Sequence, residues 1–246
     1  MNRLAKLIFT ESKLFLRDPM AVFFAVAFPP LLLAILGAIP AFREPNEDLG
    51  GARVIDLYVP IMVGFVLAML AISVIPTYLA TYRERGILRR LSTTPMRPAS
   101  LLLAELVMAL VMAVVAVTLV LAVGVVVFDT AVPEQPVGFL AAVVLGAGAL
   151  LALGLLVAAV APSGKAASGI GTMLFFPLMF FAGLYFPRKT MPDVLRNISD
   201  FTPLGAAVQA MADASAGAWP QPLHLAVMAA FTMVASLAAA KLFRWE

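Results

Sequence analysis

The chain contains no cysteine, which removes disulfides, thiolate nucleophiles and cysteine-ligated metals. Its one histidine, His224, has no potential co-ligand close by in sequence. It therefore reads as a polar residue at a membrane boundary, not as a metal ligand. Charge is also scarce: Asp, Glu, Lys and Arg make up 13% of 246 residues, too little to cover a soluble domain of that length. What fills the chain instead is apolar, 63% hydrophobic with a mean hydropathy of +1.01. The class is integral membrane protein.

Crossing a bilayer takes ~20 apolar residues, and six runs between ionisable residues are long enough. They predict transmembrane helices over 20–42, 57–82, 99–128, 137–161, 167–187 and 221–241. The expected fold is all-α, a single transmembrane domain covering 1–246, since open sheet edges cannot be satisfied in lipid. An even number of spans puts both termini on one side. Of the 17 Lys and Arg residues, 12 fall on the side of the termini and 5 on the other. The positive-inside rule makes the termini cytoplasmic, so the expectation is a multi-pass protein of the cytoplasmic membrane.

Three segments are not spans. Residues 1–18 hold an amphipathic helix: Leu4, Leu7, Ile8, Leu14 and Phe15 share a side, with Arg3, Lys6, Lys13 and Arg17 clustered beside it. Such a helix lies in the interface with its basic stripe toward headgroups. Glu11 falls in the middle of the apolar side, so either it snorkels or something basic meets it. Between the second and third spans, "YRERGILRRLSTTPMRP" (82–98) gathers five arginines. As a helix over 83–92 it projects Ile87, Leu88 and Leu91 together, with Glu84 beside them and arginines around the rest, until Pro95 ends it. A solvated loop needs no apolar ridge; this ridge wants a partner. Lying between lipid-compatible segments, these arginines do not describe a nucleic-acid surface. Between the fifth and sixth spans, residues 187–221 carry two short amphipathic patterns punctuated by Pro187, Pro192, Pro203 and Pro220. They predict short helices lying at or dipping into the outer interface.

Catalytic signals are missing. "PSGKAAS" (162–168) contains Gly164-Lys165, but a phosphate loop needs a glycine where Ala159 stands and Ser or Thr where Ala166 stands. No nucleophile–base pair or metal cluster lies in a span. The chain is not expected to be an enzyme or to bind a cofactor itself.

"ESKLFLRDP" (11–19), the arginine-rich segment 82–98 and "FPLMFFAGLYFPRKTMPDVLRNISDFTPLGAAVQAM" (176–211) together resemble the permease subunits of type-2 ABC exporters, a group that includes the daunorubicin-resistance permeases. The resemblance spans essentially the whole chain. It implies a cytoplasmic interface helix containing Lys6, Glu11, Lys13 and Arg17. It implies a coupling helix in which Arg83, Glu84, Arg85, Ile87, Leu88, Arg89 and Leu91 seat in a separate ATP-binding subunit. ATP and Mg would sit on that partner, and a second permease copy or homologue would complete the seam through which cargo leaves.

In the resemblance the second and fifth spans of the two permeases face each other. In this chain the second offers Phe65, Met69 and Ser73. The fifth offers Phe176, Met179 and Phe180 on one side at helical spacing, with Phe175 and Leu178 flanking. An uncharged, aromatic and Met-rich path suits a hydrophobic or amphipathic molecule, drug-like or lipid-like. The alternative is a gradient-driven secondary transporter or channel, which normally places ionisable groups at mid-membrane depth.

Overall fold

A computed structural model describes residues 3–92 and 99–242, and the chain is all-helical there. Six helices among the described residues are long and apolar enough to cross a membrane: Pro19–Gly37, Val54–Glu84, Ser100–Phe128, Pro136–Val160, Gly164–Phe181 and Pro222–Leu242. They are the first to sixth spans below. An N-terminal helix, Arg3–Leu16, precedes them. A short helix, Ile87–Ser92, follows the second span, and two more, Asp193–Asp200 and Pro203–Ser215, lie between the fifth and sixth. The end of the bundle that carries the N-terminal helix and Ile87–Ser92 is called proximal, the opposite end distal.

The second span is the hub. It is buried along most of its length, whereas the other five leave half or more of theirs at the surface. Two π-helical turns interrupt the spans, Phe23–Ala27 and Met69–Val74. Each stands just ahead of proline, Pro29 and Pro30 in the first case and Pro76 in the second. Proline brings no N–H and its ring crowds the carbonyl four residues back; widening the turn by one residue accommodates both. The turn at 69–74 is also where the fourth and fifth spans come closest. A Cβ on Gly154 would stand 1.8 Å from the Ala71 carbonyl oxygen, and one on Gly171 2.5 Å from that of Ile72. Only glycine permits these approaches.

Two spans stop short of their apolar runs. The first ends at Gly37, not 42, because Ile39 is extended ahead of Pro40, as a residue before proline prefers. The fifth ends at Phe181, not 187. Gly183 takes a left-handed φ of +93°, and Leu184 N–H donates to the Met179 carbonyl at 3.1 Å. That glycine closure satisfies the last carbonyls while the chain is still hydrophobic.

The helix Pro203–Ser215 is not superficial. Thr202 caps it by accepting from Gly205 N–H at 3.1 Å, and Leu204, Ala206, Ala207, Ala210 and Met211 are fully buried against the second, fourth and sixth spans. It dips into the distal end of the bundle.

Candidate functional site

At the proximal end, Arg83 and Glu84 are occupied within the chain. The Arg83 guanidinium donates to the carbonyls of Ala159, at 3.3 Å, and Ala161, which close the fourth span. Glu84 accepts from Gly164 N–H at 3.0 Å, at the start of the fifth, where Ser163 is the N-cap. The two side chains thus tie the second span to the turn between the next two. Arg83 answers the partial negative charge of a helix C-terminus and Glu84 the partial positive charge of an N-terminus.

Gly86, at φ +65°, then turns the chain, and Ile87–Ser92 folds back onto the second span. Leu88 is 1% exposed, so it fills the protein's own interior and is not a free ridge residue; the fold-back at Gly86 is the reason. Arg85 is exposed and Ile87 half-buried. The side chains of Arg89 and Leu91 lie outside the described residues, as do residues 93–98.

On the N-terminal helix, Lys6, Lys13 and Arg17 are exposed, as a basic stripe should be, while Phe15 is fully buried. Glu11 does not snorkel. It is 5% exposed and accepts from the Tyr82 hydroxyl at 2.7 Å. Its acidic neighbour there is Glu105 of the third span, itself 0% exposed. The sequence signal for Glu105 is its isolation in a long apolar run.

Between the first, second and fifth spans lies a cavity of about 540 Å³. Phe65, Met69, Ser73, Phe175 and Phe176 line it, joined by Phe24, Phe28, Leu32 and Leu36 from the first span and by Thr172 and Tyr185. Phe65 meets Phe28 at 5.6 Å and Phe175 edge-on at 5.1 Å between ring centres, a favoured aromatic geometry. The lining holds no Asp, Glu, Lys, Arg or His. Two residues of the expected stripe are elsewhere: Met179 is fully buried in the core, and Phe180 packs with Phe181 and Tyr185. The wall uses 172, 175 and 176, so the cavity lies one turn nearer the start of the helix than expected, on nearly the same face. The contribution of the first span was not legible in the sequence.

The distal end holds a second cavity, of about 400 Å³, with apolar walls from the second and third spans and polar groups from Asp56, Arg188, Gln209 and Asp213. Next to it is a buried ionic network. Arg188 donates to Asp200 at 2.5 Å and to Gln209 at 2.9 Å, and Gln209 donates to Asp213 at 2.7 Å. His224 is 2% exposed and bonded through Nε2 to Asp200 at 2.8 Å, so it is an interior residue and not a boundary one. That partner lies 24 residues earlier, which is why proximity in sequence missed it. No group of residues suited to a metal ion occurs among the described residues. Arg53 grips Asp56 with two bonds, at 2.7 and 2.8 Å, and donates to the carbonyls of Phe128 and Asp129. The bond to Asp56 raises its guanidinium above an already high value.

An all-helical bundle with six membrane-length helices and an uncharged cavity among them defines a multi-pass membrane protein. The family model of the ABC-2 type transporter matches residues 4–214, from the N-terminal helix through Pro203–Ser215. The chain belongs to that family. Among curated proteins none matches it.

Proposed function

We propose that this chain is the permease subunit of an ATP-driven exporter that moves a hydrophobic or amphipathic molecule, drug-like or lipid-like, outward across the cytoplasmic membrane. A separate ATP-binding subunit supplies the energy and holds ATP and Mg, and the chain itself catalyses nothing and binds no cofactor. A second copy, or a homologue, closes the cargo path. The proximal end, with both termini, is cytoplasmic. The observation that carries this reading is the cavity between the first, second and fifth spans: about 540 Å³, aromatic, Met-containing and without charge. A site of that size and lining takes up varied apolar ligands without demanding one hydrogen-bond pattern.

The partner ATPase meets the proximal end through Arg85 and the segment around it. Arg83 and Glu84 carry the displacement onward, because they tie the second span to the fourth–fifth turn. Leu88 supports that segment from within and does not enter the partner.

A gradient-driven carrier would place its ionisable group on the cargo's route, and Glu105 is not among the residues that line the cavity. Transport into inverted vesicles containing this chain and its ATPase separates the two. Uptake of lipophilic dyes should require hydrolysable ATP and survive a protonophore. Uptake driven by an imposed proton gradient without ATP would overturn the reading.

A further inference from the structure

Two breaks in the helical hydrogen-bond ladders stand beside the central cavity, and they are built alike. In the first span Phe28 N–H donates five residues back, to the Phe23 carbonyl, and Pro29 follows it. In the second, Ile75 N–H donates five residues back, to the Leu70 carbonyl, and Pro76 follows it. A carbonyl inside such a helix takes its hydrogen from the residue four or five positions ahead. For Phe24 those residues are Phe28, already committed, and Pro29, which has no N–H. For Ala71 they are Ile75, also committed, and Pro76. Each turn therefore holds a vacant acceptor immediately after the one in use. The Ala25 carbonyl has neither helical donor, because both positions are proline.

A vacancy of this kind is an alternative bond. Ile75 N–H can move from the Leu70 carbonyl to that of Ala71, and Phe28 N–H from Phe23 to Phe24. Each move exchanges a five-residue step for an ordinary four-residue one, and passes the surplus residue of the π turn one position toward the start of the span. One N–H···O bond breaks and one forms, so the two windings differ little in bonding. The residue that changes winding swings by about 100° round the helix axis.

The surroundings leave the turns free to do this. Behind the second-span turn stand Gly154 and Gly171, whose Cβ atoms, if present, would fall 1.8 Å from the Ala71 carbonyl oxygen and 2.5 Å from that of Ile72. Their Cα–H groups meet those oxygens where N–H donors are missing, a weaker contact with no side chain to interlock. The two π turns also pack against each other, so a shift in one is felt by the other. In front of them is the cavity, with Phe24 from one turn and Met69 and Ser73 from the other in its wall. Beyond the turn the second span is secured at both ends. The Tyr58 hydroxyl donates to the Leu184 carbonyl at 3.0 Å, and Arg83 and Glu84 hold the turn between the fourth and fifth spans. Motion between secured ends concentrates where the ladder is broken.

We infer that Phe23–Ala27 and Met69–Val74 act as one paired hinge, whose change of winding opens and closes the central cavity. Its part in export rests on the reading of that cavity as the cargo site; the exchange between windings does not.

The test uses the full chain. Deletion of Ala71 removes the surplus residue, so the second span becomes α-helical through the turn while its two halves keep their facing. Pro76→Ala is the milder variant, because it offers the vacant Ala71 carbonyl an N–H. Spin labels on Ile35→Cys and Met173→Cys, exposed positions of the first and fifth spans, report the width across the cavity in nanodiscs, with labelled chain diluted by unlabelled. The wild type should show two distance populations, and one of them should vanish on deletion of Ala71. In Pro76→Ala their ratio should change about fivefold, the factor that one net hydrogen bond contributes. ATP-dependent dye export should fall in the same order, most for the deletion, with dye binding and Tm close to the wild type. A single population in the wild type would overturn the hinge, and so would a Pro76→Ala ratio equal to the wild-type one, whether or not the deletion assembles. Two populations that the deletion collapses, in a wild type without ATP-dependent export, would uphold the hinge and overturn the exporter reading instead.

Discussion

The two ends of the bundle bury charge in opposite ways. At the distal end each acid in the network has a partner with protons to donate: Asp56 has Arg53, Asp200 has Arg188 and His224, and Asp213 has Gln209. At the proximal end, among the described residues, Glu11 has a phenol for its donor and the fully buried Glu105 has none. The distal network resembles a fixed fastening, whose Arg–Asp pairs are neutral as assembled and costly to separate. The proximal one is open to what the surroundings supply, and in the proposed function that is a protein partner for the exposed Arg85. An exporter driven from the proximal side needs the distal end to hold its shape while the proximal end responds.

The largest effect should come from breaking the distal fastening. Asp200→Ala leaves Arg188 and His224 facing each other with their shared anion gone, and should cost about 3 kcal/mol or more. Thermal unfolding in detergent reads this as a large fall in Tm. Asp200→Asn, which keeps an acceptor, should lose less.

Next in size is Gly154→Ala, at the π-helical turn of the second span. The new methyl would meet the Ala71 carbonyl at 1.8 Å, and overpacking of this kind costs about 1–3 kcal/mol. Gly169→Ala has nothing within 4 Å of the added carbon and should leave Tm unchanged or slightly raised, which makes it the control. Equal effects at both sites would mean that the fourth span does not pack as described.

Smaller again is Glu84→Ala. It removes one cap from the fifth span and should cost about 1 kcal/mol, with ATP-dependent export falling further than stability explains. The smallest effect on stability belongs to Arg85→Glu, an exposed position. Tm should not move, yet co-purification of the ATPase and export should both drop. Normal export from that variant would detach Arg85 from coupling.

Much of the fold was legible because it rests on composition and local chemistry. Six apolar runs gave six membrane-length helices, and each π-helical turn stands just ahead of a proline that the sequence displays, Pro76 or the Pro29–Pro30 pair. Glycine closure at Gly183 was equally local, but hydropathy averages across it, so the fifth span was drawn too long. What stayed hidden depends on depth along a helix and on distant partners. Phe175 and Met179 are four residues apart, and which of them faces a cavity is decided by how the first and second spans pack on the fifth. Glu11 was conspicuous on its apolar face, but its partner Glu105 is 94 positions away. Leu88 looked like a ridge until Gly86 turned it inward.

The cavity between the first, second and fifth spans carries the functional reading, and one measurement addresses it most directly. Ser73 lines that cavity and is half-buried, so Ser73→Asp places a carboxylate on its wall without crowding the core. ATP-dependent export of lipophilic dyes, measured in vesicles where the variant still assembles with its ATPase, should fall at least tenfold, while neutral Ser73→Ala retains it. Undiminished export of every dye by assembled Ser73→Asp would contradict passage through this cavity.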